Sequence, residues 1–308
     1  MRKIWIDCDT GTDDAVALLS ALHWQKDFVI LGFSAVSGNV LIDHTFPNTR
    51  NVVALGGGEK IPVYRGADKP LYREAVIADY IHGANGLNGA FIPDSLAQVE
   101  TLEAWQAMAK MIEKYPNELN LIAVGPLTNI ALLLQNRPDL AAKIQQILIM
   151  GGAIQGGNIT PQAEFNIYVD PEAANIVFSS GVNVVMFGLD VTEKGYLNKE
   201  EFLLCYEANN AKGKLFAAMF SQQRQEFTEA SLREKYFHDV NPILYLRHPE
   251  YYEGEDTAVR VVCEAGALLG KTVIHPEIPH HNTKVIYRVK RHAFAQAIID
   301  VICGENIS

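Results

Sequence analysis

The sequence has little of what ties a chain to a membrane, a nucleic acid or a disulfide frame. Only four cysteines occur in 308 residues, Cys8, Cys205, Cys263 and Cys303, and none forms a CxxC pair. They read as reduced thiols of a cytoplasmic protein, not as a disulfide scaffold or zinc site. Apolar runs long enough to span a bilayer are missing. The chain reaches Asp7 too soon for a signal-peptide core, so no membrane association is expected. Basic residues are also scarce: 26 Lys and Arg stand against 36 Asp and Glu, a formal net charge of −10. Nucleic acids and anionic membranes need basic patches, so neither is an expected partner. The sequence shows no repeat and no low-complexity linker.

What is present is a strong alternation of strand and helix signals. "KIWI" at 3–6 reads as a buried strand and 13–25 as a helix. A strand at 28–36 and a helix at 44–56 follow. Next come a strand at 119–125 running into a helix whose first turn takes Pro126, a strand at 144–152, a helix at 171–181 and a strand at 183–188. This pattern predicts an α/β fold with a mostly parallel central sheet flanked by helices. Beyond Gly195 the pattern turns helical, at 198–209, 212–232 and 240–247. Short strands near 257–263 and 284–289 and a closing helix at 291–302 complete it. We expect one domain over 1–308, with a helical cap at about 198–247 within it. The Gly-rich stretch 65–100 reads as a long irregular loop of the kind that often covers a site.

Four stretches carry chemistry. "DCDTGTDD" sets Asp7, Asp9, Asp13 and Asp14 within eight positions around a glycine turn. Acids at a helix N-terminus suit the dipole, which accounts for one or two of them. Four converging carboxylates repel, and a divalent cation with all-oxygen ligands, Ca²⁺ or Mg²⁺, turns that repulsion into coordination. "FHDVNPI" at 237–243 offers His238 and Asp239, either as site residues or as a turn before a helix. In "MGGAIQGGNITPQAEFN" the amides of Asn158 and Asn166 and the carboxylate of Glu164 are the partners a sugar's hydroxyls need, although an ordinary polar loop has the same composition. His82 in "IHGANG" is a site residue or a surface histidine.

In order, these stretches resemble the nucleoside hydrolases, the inosine–uridine type N-ribohydrolases. "DCDTGTDDA" is similar to that family's DxDxGxDDA signature. The likeness continues through "SGN" at 37–39, "HG" at 82–83, "VGPLTNIA" at 124–131, "IMGGA" at 149–153, "AEFNIYVDPEAA" at 163–174 and "HD" at 238–239. The resemblance implies a Rossmann-like nucleoside hydrolase fold and Ca²⁺-dependent cleavage of ribonucleosides to ribose and free base. It implies Ca²⁺ held by Asp9, Asp14, Asp239 and the backbone carbonyl of Thr128, with Asp9 also the general base. Asp13, Asn39, Asn158, Glu164 and Asn166 would hold the ribose, and His82 and His238 would sit near the base, His238 as its proton donor. Asp7 would stand behind the ligands. A homodimer or homotetramer, and a role in nucleoside salvage, are implied likewise.

The chain departs from the family pattern with Thr10 for Pro, Ala84 for Glu and Val240 for the Pro after the His–Asp pair, and it matches least over 200–236. No Trp lies in that stretch, which disfavours a strict purine specialist and leaves an inosine–uridine or pyrimidine preference open. No Lys or Arg accompanies the motifs at the strand ends, so nucleosides rather than nucleotides are expected. Two rival readings remain: a haloacid dehalogenase-type phosphatase with Asp7 as nucleophile, and a non-catalytic nucleoside-binding protein.

Overall fold

The computed structural model describes residues 1–277 and 282–304. Twelve strands occur among them: β1 (Arg2–Cys8), β2 (Phe28–Ala35), β3 (Val63–Arg65), β4 (Leu119–Ala123), β5 (Gln146–Met150), β6 (Val184–Phe187), β7 (Tyr196–Asn198), β8 (Glu234–Tyr236), β9 (Tyr252–Thr257), β10 (Val259–Val261), β11 (Thr272–Ile274) and β12 (Thr283–Val289). Eight form one sheet in the order β3-β2-β1-β4-β5-β6-β12-β9, parallel throughout except at the β12–β9 edge. The pairs β10–β11 and β7–β8 are small antiparallel ribbons.

Period-two alternation in β1 explains why both faces of the sheet are covered. Ile4, Ile6 and Cys8 enter one apolar core, while Trp5 enters the other. On the first face α1 (Thr12–His23) packs with α2 (Ile42–Leu55). On the second, α4 (Ala104–Lys114) and α5 (Thr128–Asn136) pack together, and α5 packs on α7 (Pro171–Ser179). Between these lie the short α3 (Asp79–His82), α6 (Phe165–Val169) and α8 (Leu189–Thr192). The later helices α9 (Lys199–Tyr206), α10 (Ala211–Met219), α11 (Ser221–Thr228), α12 (Val240–Arg247) and α13 (Arg291–Cys303) complete the chain, with α12 and α13 against α1. Among the described residues no helix is long and apolar enough to cross a membrane.

Two local expectations change. The helix expected over 212–232 is broken at Phe220, whose backbone (φ −114°, ψ 26°) leaves the helical region while its ring is buried against Phe202, Phe216 and Phe237. The helix after β4 begins at Thr128, so Pro126 precedes it instead of lying in its first turn. The order of the sheet matters most for function. From β1 the chain goes outward to β2 and β3, then returns to β4 on the other side of β1. Adjacent parallel strands whose connections leave in opposite directions open a crevice at their carboxyl ends, where α/β proteins bind ligands.

Candidate active site

The first acids of the crevice are set by the β1–α1 turn. Asp14, in the first turn of α1, reaches back to accept from the amides of Gly11 (3.0 Å) and Asp9 (3.1 Å). Asn39, from the loop after β2, clamps this turn. Its backbone N–H donates to Asp9 Oδ2 (2.7 Å), and its side chain donates to the Asp9 carbonyl (3.2 Å) and Asp14 Oδ2 (3.0 Å). Thr10, standing where a Pro is usual, is buried with its hydroxyl 2.7 Å from that of Thr49. Two glycines give Asp9 its room. A Cβ on Gly38 would lie 2.2 Å from Asp9 Oδ2, and one on Gly125 2.7 Å from Oδ1.

Asp13 points the other way and joins distant parts of the chain. Its Oδ2 accepts from the backbone N–H of His238 (2.7 Å) and of Asp239 (3.4 Å), more than 200 residues later in sequence. Asp239 is thereby brought to the other acids. Glu164, the N-cap of α6, accepts from the amides of Gly152 (2.8 Å), Asn166 (2.9 Å) and Ile167 (3.2 Å). Asn166 spans the ends of two strands, donating to the carbonyls of Val124 and Met150 (both 3.1 Å). Asn158 accepts from the amide of Phe165 (2.9 Å).

These groups surround a cavity of about 270 Å³. Asp13, Asn39, Asn158, Glu164, Asn166 and Asp239 line it, together with His82 and His238; Asp9 and Asp14 lie buried behind Asn39 and Asp13. The electrostatics are those of crowded, dry carboxylates. Burial, then the charge of Asp14, pushes Asp9 well above the carboxylate range. Burial followed by Asp14, Asp13, Asp9 and Glu164 does the same to Asp239. Asp14 is raised to about 6 and Glu164 to about 7, burial outweighing their amide donors in both. Burial, helped by Lys235 and His238, lowers His82 to about 3; its Nδ1 faces the Thr12 amide at 3.2 Å. His238 is lowered by burial and by Lys235 against the opposing pull of Asp13, and its Nδ1 is 2.8 Å from Thr192 Oγ1.

Three findings correct the sequence reading. Thr128 is not in this cavity. Its backbone starts α5, its hydroxyl donates to Asp170 (2.7 Å), and it lines a separate cavity beside residues 65–71. The residue after β4 that does line the acidic cavity is Val124. Asp7 is also elsewhere. Adjacent side chains of an extended strand alternate, and Asp7 turns to Ser34 and Asn129, fully buried and raised to about 7 by burial. A carboxylate so enclosed has no path to a phosphoester, which removes the nucleophile of the phosphatase reading. Third, the cavity does hold a cation, Lys235, from the stretch that least resembled the family.

The donor set suits a hard divalent cation. Buried carboxylate oxygens converge, and Asp9 Oδ1 and Asp13 Oδ1 have no hydrogen-bond partner. Among the described residues, however, no group of three or more His, Cys, Asp or Glu is placed so that it could hold a metal ion. Asp9 and Asp14 instead spend oxygens on backbone amides.

The chain is similar to known proteins over nearly its whole length. The family described as inosine-uridine preferring nucleoside hydrolase matches residues 4–296. The pyrimidine-specific ribonucleoside hydrolase RihA of Citrobacter koseri is 39% identical over 277 residues, covering 88% of this chain and 87% of that protein. The RihA of Shewanella baltica is 37% identical over 309 residues, covering 97% and 95%. Among solved structures, the purine-preferring ribonucleoside hydrolase from Gardnerella vaginalis superposes with a TM-score of 0.91 at 30% identity, covering 98% of each chain. The plant nucleoside hydrolase PpNRh1 superposes with a TM-score of 0.89 at 29% identity, covering 98% of this chain and 99% of that one.

Proposed function

The chain belongs to the inosine-uridine preferring nucleoside hydrolase family and is a ribonucleoside hydrolase, and from that premise we propose that it is a Ca²⁺-dependent enzyme that prefers pyrimidine ribonucleosides, releasing ribose and the free base. The pyrimidine preference rests on relatives at 37–39% identity, above the 30% of the purine-preferring structure. Carboxylates would hold the cation through Asp9, Asp14 and Asp239. We give the carbonyl of Val124 the place first given to Thr128, because Val124 lines the cavity and its carbonyl accepts from Asn166 there. Bound Ca²⁺ would supply Lewis acidity and a template for sugar hydroxyls.

The remaining roles fall to the chain's own groups. Asp9, with Oδ1 unpartnered and Oδ2 fixed by Asn39, accepts the proton of the attacking water. Asp13, Asn39, Asn158, Glu164 and Asn166 present acceptors and amides to the ribose hydroxyls. The transition state of this cleavage carries oxocarbenium character, and the surrounding negative charge strengthens its hold as that charge develops. His238 borders the leaving base. With Nδ1 held at Thr192, its Nε2 is left to deliver a proton.

The observation that carries this reading is the set of buried acids Asp9, Asp13, Asp14 and Asp239 at one cavity lined by sugar partners, with Asp9 Oδ1 and Asp13 Oδ1 left without a hydrogen-bond partner. The test is Asp9→Ala. It should keep its fold and lose release of ribose. Turnover retained at the wild-type rate would refute the assignment of the base, and loss of the fold would be visible in circular dichroism. A homodimer or homotetramer, part of the same proposal, would be tested by light scattering.

A further inference from the structure

Lys235 belongs to β8, a three-residue strand whose register pairs it with Leu197 of β7. This places its stem over two buried rings, with Nζ 5.1 Å from the centroid of Phe220 and 5.6 Å from that of Phe237. The ammonium forms no hydrogen bond or ion pair with any described residue, yet it lines the cavity beside His82 and His238. Burial pulls its pKa down, and the charges of Asp13, Asp239 and Glu226 oppose that pull without closing onto it. A lysine held on an apolar shelf, partly out of water and unpaired, is costly unless something fills its donor positions.

The reaction offers a partner. The water oxygen bonds to C1′ and its proton passes to Asp9. The C1′–N bond breaks and its electron pair goes to the base, which is finally quenched by a proton. In a pyrimidine the departing N1 adjoins the 2-carbonyl, so the charge spreads onto O2. In a purine leaving through N9 no carbonyl adjoins the broken bond. His82, held down by burial, offers no positive charge near neutral pH. Resting on the nucleoside hydrolase reading above, we propose that Lys235 is a specificity residue for the leaving group, its ammonium donating to the 2-carbonyl oxygen of a departing pyrimidine and thereby favouring uridine and cytidine over purine nucleosides.

The test compares wild type, Lys235→Met, which keeps the apolar stem, and Lys235→Arg, which keeps the charge. Each is assayed on uridine, inosine and p-nitrophenyl β-D-ribofuranoside, whose phenolate leaves without a 2-carbonyl. A charge-assisted hydrogen bond to the transition state corresponds to roughly 10- to 100-fold in rate. Lys235→Met should therefore lose about that factor in kcat/KM on uridine, mostly in kcat. The ratio of uridine to inosine, and of uridine to the nitrophenyl riboside, should fall at least tenfold. Lys235→Arg should recover part of both ratios. An equal fall on all three substrates would mark a merely structural lysine and overturn the inference, as would unchanged turnover of uridine. A wild-type protein that cleaves inosine but not uridine would overturn the pyrimidine reading and this inference with it.

Discussion

Gly125 packs directly against the Asp9 carboxylate, and replacing it with alanine tests whether Asp9 must sit where the fold puts it. A Cβ at 125 would lie 2.7 Å from Asp9 Oδ1 and 2.9 Å from Asp9 Cγ, inside the 3.4 Å at which ordinary contact begins. Asp9 has nowhere to retreat. Gly38 closes its other side, and Oδ2 is tied to the Asn39 amide at 2.7 Å. The carboxylate must move by about 0.7 Å, or β4 must part from β1. Overpacking of this kind costs about 1–3 kcal/mol. A misplacement approaching 1 Å in the reacting geometry costs about 100-fold in rate. Gly125→Ala is therefore expected to lower Tm by several degrees and kcat on uridine by about two decades. The control is Gly151→Ala just past β5, where the added Cβ meets the tip of Ile167 at 3.2 Å, a side chain that can yield, and Ile149 Cγ2 at an ordinary 3.4 Å. Steady-state kinetics with a parallel melting curve decide the matter. A Gly125→Ala enzyme with wild-type kcat would refute the argument that this glycine positions the base.

Other consequences can be checked together. Asp7→Asn should keep uridine turnover within about tenfold, since Asp7 faces Ser34 and Asn129 rather than the cavity; a loss beyond about 1,000-fold with the fold intact would put Asp7 back in the chemistry. Glu164 has a folded-state value raised to about 7 from 4.5 by burial. Its contribution to stability is thus fully present below about pH 4.5 and is lost as pH rises through about 7, a span worth roughly 3 kcal/mol. Urea unfolding in chelator should show stability declining between pH 5 and pH 8, with a flatter decline in Glu164→Gln; identical slopes would contradict the burial of that charge. Asp13→Ala should leave the buried amides of His238 and Asp239 without their acceptor and cost about 1–3 kcal/mol per amide. Its denaturation midpoint matching wild type would be the refuting result.

Much of the fold was legible because the β1, β2, β4, β5 and β6 segments alternate with helices and carry their apolar residues at the right periods, whereas the three-residue β3 (Val63–Arg65) was too short to give such a signal. The site was legible where a local motif fixes geometry: Asp9 and Asp14 in one strand–turn–helix, Glu164 and Asn166 at one helix start. Thr128 was misplaced because a chain's direction after Pro126 decides which backbone carbonyl meets the cavity, and the pattern of residues does not carry that direction. Lys235 was missed for a different reason. Its strand is three residues long, and its place depends on pairing with β7 and on two buried phenylalanines. The one available signal was its position, three residues before His238 in an extended stretch.

The central claim, that converging acids hold a divalent ion needed for cleavage of the ribose–base bond, is tested most directly by following uracil release from uridine in excess chelator and again after calcium is restored. The account predicts loss of turnover on chelation and its recovery with calcium in the wild type, without recovery in Asp239→Asn. Uracil release at an undiminished rate in chelator would contradict it.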